Sequence, residues 1–448
     1  MYCKRDETYG KCVIVLTEVD DLVITGSDTD GIMELRAALI AEMATKDRDG
    51  IPDATTIHWE PINSFLGIDI NYDPAKGIFR MSNRAKVDEI FDSPEHKDVL
   101  KKIGHASTPM EANFFSQIYD NDTKLSDLDA HLKKHYASIV GSLIYITITV
   151  RVDISHVVGK LARGMHNPQY MHIVMLKRAL KYLNGHRDVP LIYERDSAAQ
   201  RHLGEMFRDA SGGASGKVPD LFNISTTPSS TDLGVTGFSD ANFSQQGEKC
   251  RSTSGYAYFY LGQLVSWKSK LQAITAGSTH EAELVALSFC CDEGLWLRRI
   301  CGELAEVVSS PPVECVHVQF PEPDKDVEKA LAALDDAGAA LPDSNYDFDV
   351  DDDEYESAEN SEANPTTIYV DNQGTVATAN NPTSSTKSAR HIDRRYFQVR
   401  DHIKNGRIKV IFCRTADNLA DFFTKSMPVA QFNSLKNRLM GTKGVVGS

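Results

Sequence analysis

The chain has 448 residues, 41% of them hydrophobic, and a formal net charge of −15. This apolar content is sufficient for two or three packed domains, which excludes a chain that is disordered throughout. No apolar stretch is long enough to span a bilayer, no signal-like segment opens the chain, and the eight cysteines form no C-x-x-C pair, so we expect neither membrane insertion, nor secretion, nor a zinc knuckle.

Residues 196–233 are rich in Ser, Gly, Thr and Pro. Such a composition supplies no hydrophobic core and is typical of a flexible linker. We predict a linker here, which separates an N-terminal region, 1–195, from a C-terminal region that begins at residue 234.

Four segments of the C-terminal region each place an acid at the start or the end of an apolar element. Asp240 ends the first strand of a predicted three-stranded antiparallel meander, and Asp371 directly follows another short strand. Glu283 lies near the start of a helix predicted over 280–304, where apolar residues recur at helical spacing. Asp421 lies in the first turn of a final helix predicted to open near Asn418.

These four acids would repel one another if the fold brought them together, and such repulsion is tolerable only around cations. Oxygen-only ligands suit Mg²⁺ or Mn²⁺, and a pair of such ions stabilises both the attacking and the leaving oxygen of an in-line phosphoryl displacement. Each acid alone also has an ordinary structural explanation, such as the favourable position of Asp421 at a helix N-terminus. The series as a whole predicts a two-metal nuclease site.

The negative charge of the chain is concentrated in one segment. Residues 301–363 contain nineteen Asp or Glu and two Lys, a net charge of −17 that leaves +2 for the rest of the chain. Because such a segment cannot bury enough apolar surface to fold, we predict an acidic disordered insertion over 306–363. It is either a solvated loop or an arm that competes with nucleic acid; a Ca²⁺ loop lacks support, since the acids do not have EF-hand spacing.

Seven short motifs occur in order along the C-terminal region. They are Arg251-Ser252-Thr253-Ser254-Gly255-Tyr256, Val265-Ser266-Trp267-Lys268-Ser269-Lys270, Glu281-Ala282-Glu283, Trp296-Leu297-Arg298-Arg299, Val370-Asp371-Asn372-Gln373, Arg390-His391-Ile392-Asp393 and Leu419-Ala420-Asp421. In this order they resemble the C-terminal portion of the Pol polyprotein of copia-type LTR retrotransposons. Upstream, Ser107-Thr108-Pro109-Met110 is similar to the family's connecting region after the polymerase palm.

This resemblance implies an α/β (α+β mixed) fold. Residues 234–430 are expected to form an RNase H-like domain with a five-stranded mixed sheet flanked by helices, interrupted by the insertion 306–363. A C-terminal tail is expected over 431–448. Residues 1–195 are expected to form a truncated reverse transcriptase with a palm hairpin remnant and a thumb- or connection-like region.

Val19-Asp20-Asp21, between the apolar runs Val13–Leu16 and Leu22–Thr25, resembles the reverse-transcriptase hairpin, whose two acids help to bind metal. The resemblance therefore implies a β-hairpin here and identifies Asp20 and Asp21 as a polymerase remnant. Glu18 stands where that family usually has an aromatic residue. The polymerase also needs an Asp from an earlier strand and the fingers that hold the template, and only a short stretch precedes the hairpin. We therefore expect no independent DNA polymerisation.

The activity that the resemblance implies is RNase H, the cleavage of the RNA strand of an RNA–DNA hybrid. Two Mg²⁺ ions, with Mn²⁺ as a substitute, are the expected cofactors. The family pattern places the ligand directly before an aliphatic or aromatic residue, which selects Glu283 rather than Glu281. The expected catalytic metal ligands are Asp240, Glu283, Asp371 and Asp421.

We expect a set of polar and basic residues to contact the hybrid, comprising Arg251, Lys268, Ser269, Lys270, Asn372, Gln373 and His391. Isolated basic residues are more often part of a solvated surface and a lone histidine is more often structural, so these alternatives stay open. The remaining retrotransposon polyprotein or a second copy of the chain is a further candidate partner. The expected location is intracellular, in a cytoplasmic particle or the nucleus.

Two other functions stay open. The chain could be a degenerate remnant that binds nucleic acid without cutting it. It could also be a host-adopted interaction protein that recruits basic partners through its acidic segment.

Overall fold

The computed structural model describes residues 2–5, 12–18, 21–44, 46, 51, 53, 58–116, 121, 123–194, 234–243, 251–307, 314–319, 364–381 and 393–441. The chain is divided into two compact units: unit 1 comprises Met1–Phe65 and Glu303–Ser361, and unit 2 comprises Leu66–Gly302 and Glu362–Ser448. The predicted linker 196–233 lies outside the described residues, and the predicted boundaries at 195 and 234 fall within the range of unit 2. Within the described ranges, no helix is both long and apolar enough to cross a membrane.

The described residues form fourteen strands and twelve α-helices. The strands are β1 (Tyr2–Arg5), β2 (Cys12–Glu18), β3 (Asp21–Gly26), β4 (His58–Pro61), β5 (Ser64–Phe65), β6 (Ile68–Asp73), β7 (Ile78–Ser82), β8 (Leu191–Glu194), β9 (Val235–Asn242), β10 (Thr253–Tyr260), β11 (Gln263–Leu271), β12 (Glu314–Gln319), β13 (Thr366–Val370) and β14 (Ile408–Phe412). The helices are α1 (Thr29–Met43), α2 (Arg84–Asp92), α3 (Lys97–Leu100), α4 (Asp127–Lys134), α5 (Tyr136–Thr149), α6 (Ser155–Leu161), α7 (Tyr170–Gly185), α8 (Thr279–Val307), α9 (Gln373–Asn380), α10 (Asp393–Lys404), α11 (Asp421–Thr424) and α12 (Val429–Met440).

Unit 1 is built on a five-stranded sheet in the order β1-β2-β3-β12-β4. The predicted hairpin is present as β2 and β3, whose antiparallel register ends with Glu18 opposite Asp21. Alternate residues of these strands, including Val15 and Ile24, pack against Ile32 of α1, as expected for a sheet with one buried face. Asp20 lies outside the described residues, and the polymerase-remnant role of the two acids stays a prediction.

One piece of the predicted acidic insertion forms a strand. The six residues of β12 pair with β3 on one side and with β4 on the other. The prediction of disorder over the whole of 306–363 was therefore wrong for Glu314–Gln319. The physical reason is local composition, because Val316 and Val318 are β-branched and most acids of the segment follow residue 320, outside the described residues.

Helices contribute a large part of the core of unit 2. Helix α5 buries Ile139, Leu143 and Ile146 at helical spacing. These side chains belong to one hydrophobic cluster with Phe238 of β9 and Phe423 of α11. The region before the predicted linker and the region after it therefore share one core. Strands β6, β7 and β8 of this unit pair antiparallel in that order.

A five-stranded mixed sheet in the order β11-β10-β9-β13-β14 confirms the α/β prediction. Strands β9, β10 and β11 form the predicted antiparallel meander, whereas β13 is parallel to both β9 and β14. Helix α8 covers the helix predicted over 280–304. This sheet positions the site described below.

The C-terminal elements differ from expectation in two details. Helix α11 begins at Asp421 and not near Asn418, because the preceding residues Thr415–Asp417 form a 3-10 turn. The side-chain oxygen of Asn418 instead accepts a hydrogen bond from the backbone N–H of Ala420 at 3.1 Å. Within the predicted tail, 431–448, most of α12 is present, with Phe432 among its buried residues.

Candidate active site

Two of the four predicted acids reach the same end of the sheet because β9 and β13 are parallel. Ser239 of β9 lies opposite Val370, the last residue of β13. The next residues, Asp240 and Asp371, therefore follow at the same level on neighbouring strands. Asp240 is fully buried and Asp371 is half-buried.

Helix α11 brings a third acid to this end of the sheet. Gly255 of β10 lies opposite Asp240, and a Cβ at Gly255 would lie 2.7 Å from Thr424 Cγ2 and 2.9 Å from Phe423 Cβ. Only the missing side chain lets α11 approach so closely. The Thr424 hydroxyl donates a hydrogen bond to Asp240 Oδ2, and Asn242 Nδ2 donates one to the Thr424 carbonyl at 3.0 Å. These contacts hold α11, and with it Asp421 at its start, beside β9.

Asp240, Asp371 and Asp421 each offer a carboxylate oxygen within 4.8 Å of the other two. Glu283 of α8 is buried and interacts electrostatically with Asp240 and Asp371. We refer to these four acids as the carboxylate cluster. The fold thus brings together all four acids that the sequence singled out.

The donor set of the carboxylate cluster fits a hard divalent cation. It consists of carboxylate oxygens alone, which suits Mg²⁺ or Mn²⁺ better than metals that prefer nitrogen or sulfur ligands. Among the described residues, the buried Glu283 Oε2 has no hydrogen-bond partner. A buried carboxylate oxygen without a partner is costly unless a ligand satisfies it. The cluster could therefore bind a metal ion.

The acids of the cluster resist ionising together. Burial, followed by the charges of Asp240 and Asp371, raises the pKa of Glu283 to about 9. Burial and the charge of Asp240 raise the pKa of Asp421 to about 7. Burial also raises the pKa of Asp240, although Lys425 opposes this shift. Additional positive charge would favour the ionised forms that ligate metals.

Sequence reasoning missed Lys425, which supplies such charge. Its Nζ donates hydrogen bonds to Asp421 Oδ1 at 2.6 Å and to Asp240 Oδ1 at 3.2 Å. Burial alone would lower the pKa of Lys425, but the carboxylates of Asp240 and Asp421 outweigh burial and raise it. The available signal was its spacing, four residues after Asp421, which places both side chains on one helix face.

Strand alternation separates the predicted contacts of β11. Ser269, Gly255 and Asp240 lie in one row across the sheet, so their side chains share a face. Lys268 and Lys270 are exposed on the opposite face, where Lys270 Nζ lies 5.4 Å from the ring centroid of Phe289 in α8. The structure therefore places Ser269, but neither lysine, on the face of the sheet that carries Asp240.

The other predicted contacts are distributed around the cluster. Asn372 caps α9, with its side-chain oxygen accepting a hydrogen bond from Thr375 N at 2.9 Å, and Gln373 is exposed beside it. Arg251 is half-buried before β10. His391 lies outside the described residues. Asn372 and Gln373 directly follow Asp371 and are the nearest of the set to the cluster in the chain.

Two cations of the α6 region were also missed. Lys160 Nζ and Arg163 Nη2 donate to Thr253 Oγ1 at 3.4 and 3.3 Å. Thr253 lies opposite Asn242, two residues along from Asp240, so these cations lie on the same face as Asp240. Nothing in the sequence signalled them, because they are far from the acids in the chain.

Comparison with known proteins identifies relatives over nearly the whole chain. The retrovirus-related Pol polyprotein from transposon TNT 1-94 of Nicotiana tabacum is 23% identical over 424 residues, which are 95% of this chain and 24% of that protein. The retrovirus-related Pol polyprotein from transposon RE2 of Arabidopsis thaliana is 23% identical over 431 residues, 96% of this chain and 22% of that protein. The chain thus spans less than a quarter of the length of these two relatives.

A shorter relative covers part of the chain. The secreted RxLR effector protein 161 of Plasmopara viticola is 30% identical over 162 residues, which are 36% of this chain and 90% of that protein. No family model matches the chain, and no solved structure matches it.

Proposed function

Because the chain belongs to the family of Pol polyproteins from copia-type retrotransposons, we propose that its carboxylate cluster is the active site of an RNase H. The activity would be endonucleolytic cleavage of the RNA strand of an RNA–DNA hybrid. The observation that carries this proposal is the convergence of Asp240, Asp371 and Asp421 within 4.8 Å, with Glu283 interacting from α8.

The architecture around the cluster supports the proposal. An antiparallel meander is extended by two parallel strands. Of the four acids, one lies in β9, one in α8, one directly after β13 and one at the start of α11. The family resemblance implies an RNase H-like domain with this order of elements. We propose that this sheet and its helices are such a domain, interrupted between α8 and β13.

The four acids would hold two Mg²⁺ ions, or Mn²⁺ in their place. Asp240 would contribute most to holding both ions, because its charge acts more strongly than that of Asp371 on both Glu283 and Asp421. Glu283, Asp371 and Asp421 would supply the remaining carboxylate ligands. When bound, paired ions of this kind activate a water and stabilise the leaving oxygen of an in-line displacement.

The chain itself prepares the ligands. The Thr424 hydroxyl orients Asp240 by donating to Oδ2. Glu283 would lose its proton when positive charge arrives, because its raised pKa depends on burial and on two neighbouring carboxylates. Lys425 would have to release at least part of its contact with Asp240 and Asp421, since it occupies oxygens that the ions need.

We propose that the substrate is recognised through its backbone and 2′-hydroxyls, which distinguish RNA from DNA. Asn372 and Gln373 are the best placed of the predicted contacts, because they directly follow Asp371. Affinity should fall steeply with salt, because phosphate neutralisation dominates such binding. This substrate would place the protein in a cytoplasmic particle or the nucleus.

The decisive experiment is cleavage of an end-labelled RNA–DNA hybrid in Mg²⁺, next to single-stranded RNA and duplex DNA. We expect cleavage of the hybrid alone, and its loss in Asp240→Asn and Asp371→Asn. Both variants should still bind the hybrid in Ca²⁺. The matched control is Asp401→Asn, which changes an exposed acid of α10 outside the cluster. Absence of cleavage in both Mg²⁺ and Mn²⁺, by folded protein, would overturn the proposal.

A second candidate function is hybrid binding without cleavage. The observation that favours it is Lys425, whose ammonium already balances part of the charge of Asp240 and Asp421. Under this alternative the protein binds the hybrid equally well in EDTA and in Mg²⁺, and Lys425→Met does not restore cleavage.

A further inference from the structure

Three histidines and one glutamate converge in unit 2 at a place that the carboxylate cluster does not include. Glu95 and His96 lie in the turn between α2 and α3. His131 lies in α4, and His135 is the residue directly after that helix. Because they are four residues apart, the two side chains of the α4 region lie on one face.

The distances within this group are close to those between ligands of one metal ion. His135 Nδ1 lies 3.1 Å from Glu95 Oε1, and His96 Nε2 lies 3.9 Å from Glu95 Oε2. The other ring nitrogen of His96, Nδ1, lies 3.1 Å from His131 Nε2 and forms a hydrogen bond with it. Glu95, His96 and His135 each offer a ligand atom within 4.8 Å of the other two. Neighbouring ligands of a tetrahedral Zn²⁺ ion are about 3.3 Å apart, since each lies about 2.0–2.1 Å from the metal.

We propose that Glu95, His96 and His135 form a binding site for Zn²⁺ that joins the α2–α3 turn to the end of α4. Imidazole nitrogens with one carboxylate oxygen suit Zn²⁺, whereas Mg²⁺ prefers oxygen ligands alone. The site therefore differs in metal preference from the carboxylate cluster. These three protein ligands leave the fourth position of a tetrahedral ion to water, and His131 would orient the His96 ring through its contact with Nδ1.

The surroundings of the histidines support metal binding. The side chain of His96 is 8% exposed and that of His135 is 12% exposed, whereas that of Glu95 is 58% exposed. Glu95, on the open side, offers a route by which an ion could enter.

The test is a zinc-binding measurement on the full chain. After chelation to remove bound metal, incubation with Zn²⁺ and dialysis, we expect the protein to retain one Zn²⁺ per chain, measured by elemental analysis. Co²⁺ in its place should give the intense visible absorption of a tetrahedral site. Zinc should raise the melting temperature of the wild-type chain.

Variants separate this site from other zinc-binding groups. His135→Ala should abolish zinc retention and the Co²⁺ absorption, and Glu95→Gln, at an exposed position that should not disturb folding, should weaken zinc binding at least tenfold. His166→Ala, at an exposed histidine elsewhere in unit 2, and Asp240→Asn should retain zinc.

A hydrogen-bonded histidine cluster would also explain the contact between His96 and His131. Under that explanation the wild-type chain retains no zinc, or Glu95→Gln and His135→Ala retain as much as His166→Ala does. Either result would overturn the proposal, whatever the outcome of the hybrid-cleavage experiment.

Discussion

Lys425 Nζ lies 2.6 Å from Asp421 Oδ1, four residues earlier in the chain. The same ammonium contacts Asp240 Oδ1 at 3.2 Å, so it joins an acid of β9 to an acid of α11. The chain thus supplies its own cation, Lys425, to the carboxylate cluster. Any divalent ion that binds Asp240 and Asp421 has to compete with it.

Replacing Lys425 by Met should lower the Mg²⁺ concentration needed for half-maximal hybrid cleavage, because the competing ammonium is gone. The same change should lower the melting temperature in EDTA, because the buried carboxylates lose their counter-charge. Mg²⁺ titration of cleavage and thermal unfolding measure the two effects. Lys404→Met, at the exposed end of α10, should change neither. Loss of cleavage with an unchanged Mg²⁺ requirement would instead indicate that Lys425 contacts the substrate.

Glu283 should make the stability of the chain depend on pH when divalent ions are absent. Its folded pKa of about 9 lies above the ordinary value of 4.5, so the folded state retains its proton more strongly than the unfolded state. The resulting stability is fully present below pH 4.5 and is lost as the pH rises toward about 9. The melting temperature in EDTA should therefore fall over this window.

The matched pair for this prediction is Glu283→Gln and Glu281→Gln. The first should flatten the fall in melting temperature, because Gln does not titrate. The second should leave it unchanged, since Glu281 is outside the cluster and accepts a hydrogen bond from Gly277 N. Equal pH profiles for wild type and Glu283→Gln would contradict the prediction.

Gly255→Ala should displace α11 and reduce cleavage. The added Cβ would lie 2.7 Å from Thr424 Cγ2 and 2.9 Å from Phe423 Cβ, so the helix that carries Asp421 has to move. Overpacking of this kind costs about 1–3 kcal/mol of unfolding free energy. Urea unfolding and cleavage rates test both effects. Gly141→Ala, in α5 with open space around it, should leave cleavage intact.

Asp153→Ala should be the most destabilising of the changes considered. Arg151 is 1% exposed and donates to Asp153 from Nε at 2.9 Å and from Nη2 at 2.7 Å. Removing the carboxylate leaves a buried charge without compensation, at a cost of about 3–5 kcal/mol. Tyr182 loses its acceptor as well.

Urea unfolding measures the effect of Asp153→Ala against two controls. Replacing both charges, as Arg151→Met with Asp153→Leu, should restore much of the stability because no unpaired charge remains. Lys86→Ala, which breaks an exposed ion pair with Glu89, should have little effect. A small effect of Asp153→Ala would show that Arg151 reaches solvent.

Local pattern in the sequence predicted the strands of the meander and the long helix, and the ordered series of family motifs was needed to select the four acids. Helical spacing predicted α8, because its signal lies within a few residues, whereas the hairpin of β2 and β3 was implied by the family resemblance. Asp240 and Asp371 were recognised because each lies near the end of an apolar strand. The residues of the carboxylate cluster could therefore be identified from short sequence segments.

Tertiary structure alone decided which other side chains join those acids. Ser269 shares a face with Asp240 while Lys268 and Lys270 do not, because register across three strands sets the parity of each side chain. Strand β12 joins unit 1 through pairing with residues nearly three hundred positions earlier. Likewise, His96 meets His131 only through the packing of separate helices. Such contacts depend on how distant elements dock, which no local period in the sequence specifies.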